Sequence, residues 1–313
     1  MSITNYVKEN HKGYIFDSSL VQCWQNKFIA NATMEREIVR KKMNGDVGQA
    51  EIDAAAFCYE HVVATEDMLR IVCNAADDKD FRDKLDKLVL YRVLNRFILC
   101  NDDRSRDFPK DAMWFYTLDL AGKYLLEHYW KNYADRWSTG TPGLCVEKIS
   151  RALVAGEFHV KLLDSCPNKL KEFKCRTYRQ GRESATLSFE FRLEVTRDDE
   201  IVKRYFIGDV IRSFEDEADM RERINFISSI CSTKAWQRLW PYSGDVPVVL
   251  FVVEDETKIE ELINYLRMYK IPKFFITTDV EIANGLDRPV GVWKRFNEEL
   301  LTIEDAKTKM FID

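Results

Sequence analysis

The sequence lacks the motifs of several well-known enzyme classes. It contains no glycine-rich phosphate loop, no G-x-S-x-G nucleophile elbow and no H-E-x-x-H zinc motif. Its four histidines stand singly at positions 11, 61, 128 and 159, so none belongs to a motif for catalysis or metal binding. We therefore predict no cofactor and no bound metal, and we favour a protein that is not an enzyme.

The sequence also lacks paired cysteines and long apolar runs. None of the eight cysteines lies in a C-x-x-C pair, and their spacing matches no zinc signature, so we expect a reduced chain. The longest apolar runs, such as residues 246–253, are too short to cross a bilayer, and no signal-peptide pattern is present. These absences predict a cytoplasmic protein without a membrane partner.

Apolar and charged residues are abundant instead, at 46% and 32% of the 313 residues. This composition and length predict a folded protein of two domains. The run S-T-G-T-P-G at 138–143 predicts a linker, so we divide the chain into an N-terminal helical appendage (1–50), a first domain (51–137), a linker (138–145) and an α/β domain (146–313). The net charge of -5 argues against a generally basic surface, but it is compatible with a local basic face.

Residues 51–137 have the pattern of a winged helix. Apolar spacing predicts helices over 51–61, 68–74 and 81–95, with Thr65 as a suitable N-cap of the second. Two β-rich segments, 96–100 and 113–118, flank a charged turn, and Asp119 can cap a following helix. Three helices and a hairpin give the order of a winged helix-turn-helix domain, whose third helix would enter the major groove of DNA. A helix predicted over 16–29 lies within residues 1–45, our candidate contact for a homodimer.

Residues 146–313 alternate between helix and strand patterns. We predict a helix over 146–160, a hairpin of strands 185–196 and 201–211, a helix over 215–239, a buried strand over 247–253, a helix over 257–269 and a strand over 273–277. This order predicts a mixed sheet, and the whole chain is assigned to the α+β class.

Basic side chains in three segments are candidates for contacting double-stranded DNA. They are Arg82, Lys84, Lys87, Arg92 and Arg96 on the third helix, with Asn95 as a base reader; Arg104 and Arg106 in the wing; and Lys169, Lys171, Lys174, Arg176, Arg179 and Arg182 in the run 169–182. Alternatively, the third helix presents an ordinary solvated face with paired charges, and the run 169–182 is a charged strand edge. Acidic residues near Arg104 and Arg106 weaken the prediction that the wing contacts DNA.

Glu190 and Asp209 are the candidate catalytic pair. They lie on adjacent predicted strands, where two carboxylates can hold a divalent metal for phosphodiester cleavage. A nuclease of the restriction-endonuclease type requires a lysine two residues after the acidic residue, but Ile211 follows Asp209 at that position. Strand alternation also places Glu190 on a polar face. We therefore favour a noncatalytic sheet with both carboxylates facing solvent.

The element order resembles the replication-relaxation family of plasmids and conjugative elements. The resemblance covers residues 50–295 and rests on the winged-helix order, the strand hairpin, a helix ending near Trp236, the strand V-V-L-F-V-V at 248–253 and I-T-T-D at 276–279. It implies a restriction-endonuclease-like second domain, in which Glu190 and Asp209 would stand at the two acidic positions. It further implies a DNA-binding accessory or regulatory protein of plasmid replication or conjugative transfer, with a protein partner in that complex.

Two other functions stay open. One is a metal-dependent nuclease that uses Glu190 and Asp209. The other is a scaffold whose winged helix binds protein instead of DNA, which the negative net charge and the acidic residues of the wing motivate.

Overall fold

A computed structural model describes residues 16–28, 35–76, 79–101, 113–131, 133–134, 136–180, 183–197, 200–213, 215–233, 235–241, 245–269, 271, 274–286, 293–297 and 302–305. The chain divides into two units, one with the described residues up to Gly156 and one with those from Glu157 onward. We call them the N-terminal unit and the C-terminal unit. Each combines helices with one sheet, which confirms the α+β class.

The N-terminal unit contains one antiparallel sheet. Its strands are β1 (Val21–Trp24), β2 (Ala64–Thr65), β3 (Leu94–Cys100) and β4 (Phe115–Leu118), and its helices are α1 (Glu35–Met43), α2 (Gln49–His61), α3 (Glu66–Val72), α4 (Lys79–Leu90) and α5 (Leu120–Tyr129). The strand order is β1-β3-β4-β2. Helix α4 is amphipathic, because Phe81, Leu85 and Leu88 are buried at helical spacing while charged residues occupy its other side.

Two predicted helix caps are confirmed. The Thr65 hydroxyl accepts a hydrogen bond from the Met68 backbone N at 3.3 Å, at the start of α3. The Asp119 carboxylate accepts one from the Leu120 N at 2.7 Å, at the start of α5. Both side chains satisfy backbone N–H groups that have no partner within the helix.

The helix predicted over 16–29 is wrong across Val21–Trp24, which form β1 and pair with β3. The residues from Val21 to Trp24 pair one to one with those from Cys100 back to Phe97, in antiparallel register. Pairing with a neighbouring strand overrides the helical spacing of the apolar residues. This segment is therefore part of the sheet and is not available as the predicted dimerisation helix.

A disulfide joins Cys23 of β1 to Cys100 of β3. The prediction of a fully reduced chain is therefore wrong for this pair. The other six cysteines, all within the described ranges, form no disulfide. Sequence spacing did not indicate the pair, because the bond spans 77 residues and depends on the neighbouring strands.

The segment predicted as a linker belongs to the N-terminal unit. The Gln22 amide donates to the Pro142 carbonyl at 3.0 Å and accepts from the Leu144 N at 3.1 Å, which fastens this segment to β1. The division between the units falls later, between Gly156 and Glu157, inside helix α6 (Val146–Ser165).

The C-terminal unit contains a mixed sheet of seven strands in sequential order. The strands are β5 (Leu170–Gln180), β6 (Glu183–Arg197), β7 (Glu200–Val210), β8 (Val248–Val253), β9 (Phe274–Thr278), β10 (Lys294–Asn297) and β11 (Thr302–Asp305), and the helices after α6 are α7 (Glu217–Ser232), α8 (Trp236–Leu239), α9 (Thr257–Leu266) and α10 (Asp279–Asn284). β7, β8 and β9 are parallel, and the other neighbours are antiparallel. The predicted hairpin, buried strand and mixed sheet are confirmed.

Helices cover both faces of this sheet. On one face, Ile207, Val249 and Phe251 pack in a single apolar cluster with residues of α7 and α9. On the other, the Phe158 ring of α6 lies 4.8 Å from the Phe189 ring. The Phe189 ring packs against Gly208, where an added Cβ atom would come within 2.0 Å of it. Both faces therefore form core, as expected for parallel strands.

Among the helices of the described ranges, none combines the length and the apolar character needed to cross a bilayer.

Candidate nucleic-acid interface and buried acidic pair

Helix α4 presents three of the predicted DNA-contacting residues on its exposed side. Arg82 forms an ion pair with Glu66 of α3, with 2.7 Å between Nε and Oε1. Lys84 and Lys87 are exposed and form no ion pair with any other described residue. The two lysines are three residues apart, so they lie on the same side of the helix. They are the basic groups of α4 that are best placed to meet a phosphate backbone.

Arg92 has a structural role in the turn after α4. Its φ of +62° is in the left-handed region and ends the helix. Its guanidinium binds the buried carboxylate of Asp119 and donates to the Lys27 carbonyl at 2.9 Å. Burial raises the pKa of Asp119, and the hydrogen bond from Arg92 opposes this rise. Most of the hydrogen-bonding capacity of Arg92 is thus used inside the unit.

The prediction that Asn95 and Arg96 lie on the third helix is wrong, because both belong to β3. Asn95 is fully buried, and its amide donates to the Asn26 carbonyl at 2.9 Å, so it has no surface with which to read a base. The Arg96 guanidinium donates to Asp86 at 2.6 Å and lies 4.5 Å from the Trp114 ring. Arg96 therefore connects α4 to the sheet, whereas Asn95 holds the segment that follows β1.

The other predicted basic segments are described only in part. Arg104, Arg106 and Arg182 lie outside the described residues, as do the side chains of Arg176 and Arg179. The run 169–182 is largely the edge strand β5, which agrees with the alternative of a charged strand edge. Lys174 forms an ion pair with Glu172, Lys171 is exposed, and Lys169 is partly buried.

The carboxylate of Asp209 is the centre of a buried charge network in the C-terminal unit. It accepts hydrogen bonds from the Ser188 hydroxyl at 2.8 Å and from Arg223 Nε of α7 at 2.7 Å. Arg223 Nη2 also donates to Glu215 at 2.5 Å. Burial lowers the pKa of Arg223, but the two carboxylates outweigh burial and hold it above its ordinary value. The guanidinium therefore stays charged and neutralises this part of the core.

Glu190 shares the sheet face of Asp209. It pairs in register with Ile207, whose side chain packs under α7 and α9. Glu190 is 5% exposed and Asp209 is 0% exposed, so the prediction that both face solvent is wrong. Strand alternation correctly separates the two faces, but it does not reveal that helices cover the more polar one.

This arrangement does not suit a divalent metal. The Asp209 carboxylate already binds a cation, the Arg223 guanidinium, on its buried side. Within the ranges that the structure describes, no three His, Cys, Asp or Glu side chains are grouped to hold a metal ion. A two-carboxylate nuclease centre would need its acidic oxygens open to a metal and to a phosphodiester.

The sequence interpretation missed Arg223, although a signal for it existed. Arg223 lies four and seven residues before Ile227 and Ile230, which are buried, so it occupies the apolar stripe of α7. A lone arginine on such a stripe indicates a buried carboxylate partner. Arg212 is a second missed cation, fully buried and paired with Asp279 at 2.9 Å.

Comparisons with known proteins return no matching family model, no matching curated protein and no matching solved structure.

Proposed function

We propose that the protein binds double-stranded DNA through a winged helix in its N-terminal unit. The observation that carries this proposal is the succession α2-β2-α3-α4-β3-β4, in which β2 pairs with β4 and β4 pairs with β3. Three helices, a short strand between the first two and a hairpin after the third are the elements that a winged-helix layout requires, which supports the proposal. In this layout α4 is the recognition helix.

The surface of α4 supports the proposed contact with phosphates. Lys84 and Lys87 are exposed, while the nearby carboxylates of Glu66 and Asp86 are neutralised by Arg82 and Arg96. Asp80 and Asp83 remain as exposed acids of α4, but with Glu66 and Asp86 neutralised the two lysines can approach a polyanion more closely than the net charge of -5 suggests.

The C-terminal unit is proposed to be a noncatalytic relative of a restriction-endonuclease-like core. Support comes from the succession of α6, three antiparallel strands β5 to β7, α7 and the parallel strand β8. Ile211 and the charge network of Asp209 argue for binding or structure instead of cleavage. A role in plasmid replication or conjugative transfer, with a partner from that complex, follows from the resemblance to the replication-relaxation family.

The salt dependence of DNA binding tests the proposal. A fluorescent duplex of mixed sequence is titrated with the full chain at several KCl concentrations, and the affinity is read from anisotropy. Each phosphate contact contributes about 0.9 to the slope of log K against log salt, so the double variant Lys84→Gln, Lys87→Gln should reduce the slope by about 1.8. Its affinity at low salt should fall for all sequences alike.

Lys131 provides a matched control, because it is exposed and follows α5 instead of lying on α4. Lys131→Gln should leave the slope unchanged. Absence of duplex binding by the wild-type chain would overturn the proposal and favour the protein scaffold. An unchanged slope in the double variant would remove α4 as the contact.

A further inference from the structure

A cavity of about 300 Å³ lies in the C-terminal unit, where the parallel strands β7 and β8 end. Its walls include Ile211 directly after β7, Val253 at the end of β8, Met220 of α7, and Leu262 and Tyr265 of α9. In open α/β sheets, ligands bind outside the carboxyl ends of parallel strands. The volume is at the lower end of the range for ligand pockets, about 300–1,000 Å³, and so suits a small molecule.

Glu254 supplies a carboxylate at this cavity. The residue is 2% exposed, and its Oε1 accepts hydrogen bonds from the Ser213 backbone N at 2.8 Å and the Ser213 hydroxyl at 2.9 Å. Its Oε2 accepts no hydrogen bond from any described residue, and no described lysine or arginine is ion-paired with it. Oε2 is not fully enclosed by protein atoms, and Glu254 lines the cavity. This oxygen therefore faces the cavity.

The charges around the cavity select the sign of a ligand. Four glutamates line it, and three of them already have a cation partner: Glu215 pairs with Arg223, Glu217 with Arg221 and Glu261 with Lys258. Among the described residues, Glu254 is the lining glutamate without an ion pair. Arg212 also borders the cavity, but its side chain is fully buried and paired with Asp279. An anion would therefore be repelled by the uncompensated carboxylate of Glu254, whereas a cation would neutralise it.

We propose that this cavity binds a small organic cation, a guanidinium or primary amine on an apolar body, with Glu254 Oε2 as its counter-ion. The apolar walls of Met220, Leu262 and Tyr265 enclose the body of the ligand. The inference is independent of DNA binding, because every residue that it uses lies in the C-terminal unit.

A pair of probes that differ in charge tests the site. n-Butylguanidinium and n-butylurea have nearly the same shape, but only the first is cationic. Titration calorimetry on the full chain should show one site, with the guanidinium bound about tenfold to a hundredfold more tightly than the urea, as expected for hydrogen bonds to a charged group. Glu254→Gln should abolish this preference while binding of the urea changes little.

Two further variants separate the cavity from a general effect of charge. Glu261→Gln removes a carboxylate that is already paired with Lys258, so it should change the affinity less than about threefold. Met220→Trp places a larger side chain in the cavity while Glu254 is kept, and it should prevent binding of both probes. Equal affinities for the two probes, an unchanged preference in Glu254→Gln, or no binding of n-butylguanidinium by the wild-type chain would each overturn the proposal.

Discussion

The guanidinium of Arg223, a residue of α7, forms ion pairs with the carboxylates of Asp209 and Glu215. Replacing it with Met keeps an unbranched apolar stem, shorter than that of arginine, but leaves the Asp209 carboxylate buried without a cation. We expect the free energy of unfolding of Arg223→Met to fall by about 3–5 kcal/mol, because removing one partner of a buried ion pair has a cost of this size. Urea unfolding followed by circular dichroism measures the change.

Arg221 is the matched control for Arg223. It lies on the same helix, but its ion pair with Glu217 is exposed, so Arg221→Met should change the free energy of unfolding by less than about 1 kcal/mol. Adding Asp209→Asn to Arg223→Met should restore part of the lost stability. Equal effects of Arg221→Met and Arg223→Met would contradict the buried network.

His159 makes the stability of the C-terminal unit depend on pH. Its ring stacks on Phe173 with 4.1 Å between centroids, and burial lowers its pKa to about 3. Below about pH 6.5 the unfolded chain binds a proton at this histidine, whereas the folded chain does not until about pH 3. The free energy of unfolding is therefore highest above pH 6.5 and should fall, by at most about 1.4 kcal/mol per pH unit, as the solution becomes more acidic.

Urea unfolding at about pH 7 and about pH 5 tests the role of His159. His159→Phe keeps a ring against Phe173 and should lose less stability between these conditions than the wild type. His128→Gln changes an exposed histidine and should behave as the wild type does. The same acid sensitivity in all three chains would assign the effect to other groups.

At the scale of elements, β1 is attached to β3 by strand pairing and by the Cys23–Cys100 disulfide. A bond across 77 residues restricts the unfolded chain, so reduction should lower the free energy of unfolding by about 2–4 kcal/mol. Urea unfolding with and without reductant, compared with Cys100→Ser, measures this difference.

Cys145 is the control for the disulfide because its thiol is exposed. Cys145→Ser should respond to reductant as the wild type does, whereas Cys100→Ser should show no response. Identical unfolding of the wild type in oxidising and reducing buffers would argue that the bond adds no stability.

Elements with a strong periodic pattern were predictable, and those that depend on distant pairing were not. Strand β8 has six consecutive apolar residues, and the alternation in β6 is regular, so both were predicted. The end of α4 was misplaced because apolar residues continue beyond Leu90, while the left-handed φ of Arg92 turns the chain. β1 could not be predicted because it exists only by pairing with β3.

At the scale of the whole molecule, the fold class and the mixed sheet followed from the order of patterns along the chain. The boundary between the units could not be predicted from that order. It lies within the continuous helix α6, and no break in the sequence pattern marks it. For the candidate sites, the sequence indicated the chemical type of each residue but not its surroundings. Glu190 and Asp209 were identified as acidic residues on neighbouring strands, but their environment depends on helices that approach from elsewhere in the chain.

The charge network of Asp209 also has a consequence for finding relatives of this chain. A search for a strand aspartate followed two positions later by lysine would pass over Asp209, because position 211 is isoleucine. The network instead joins a serine 21 residues before the aspartate to an arginine 14 residues after it. Relatives should therefore keep or lose the charges at 209 and 223 together, while position 211 drifts among apolar residues.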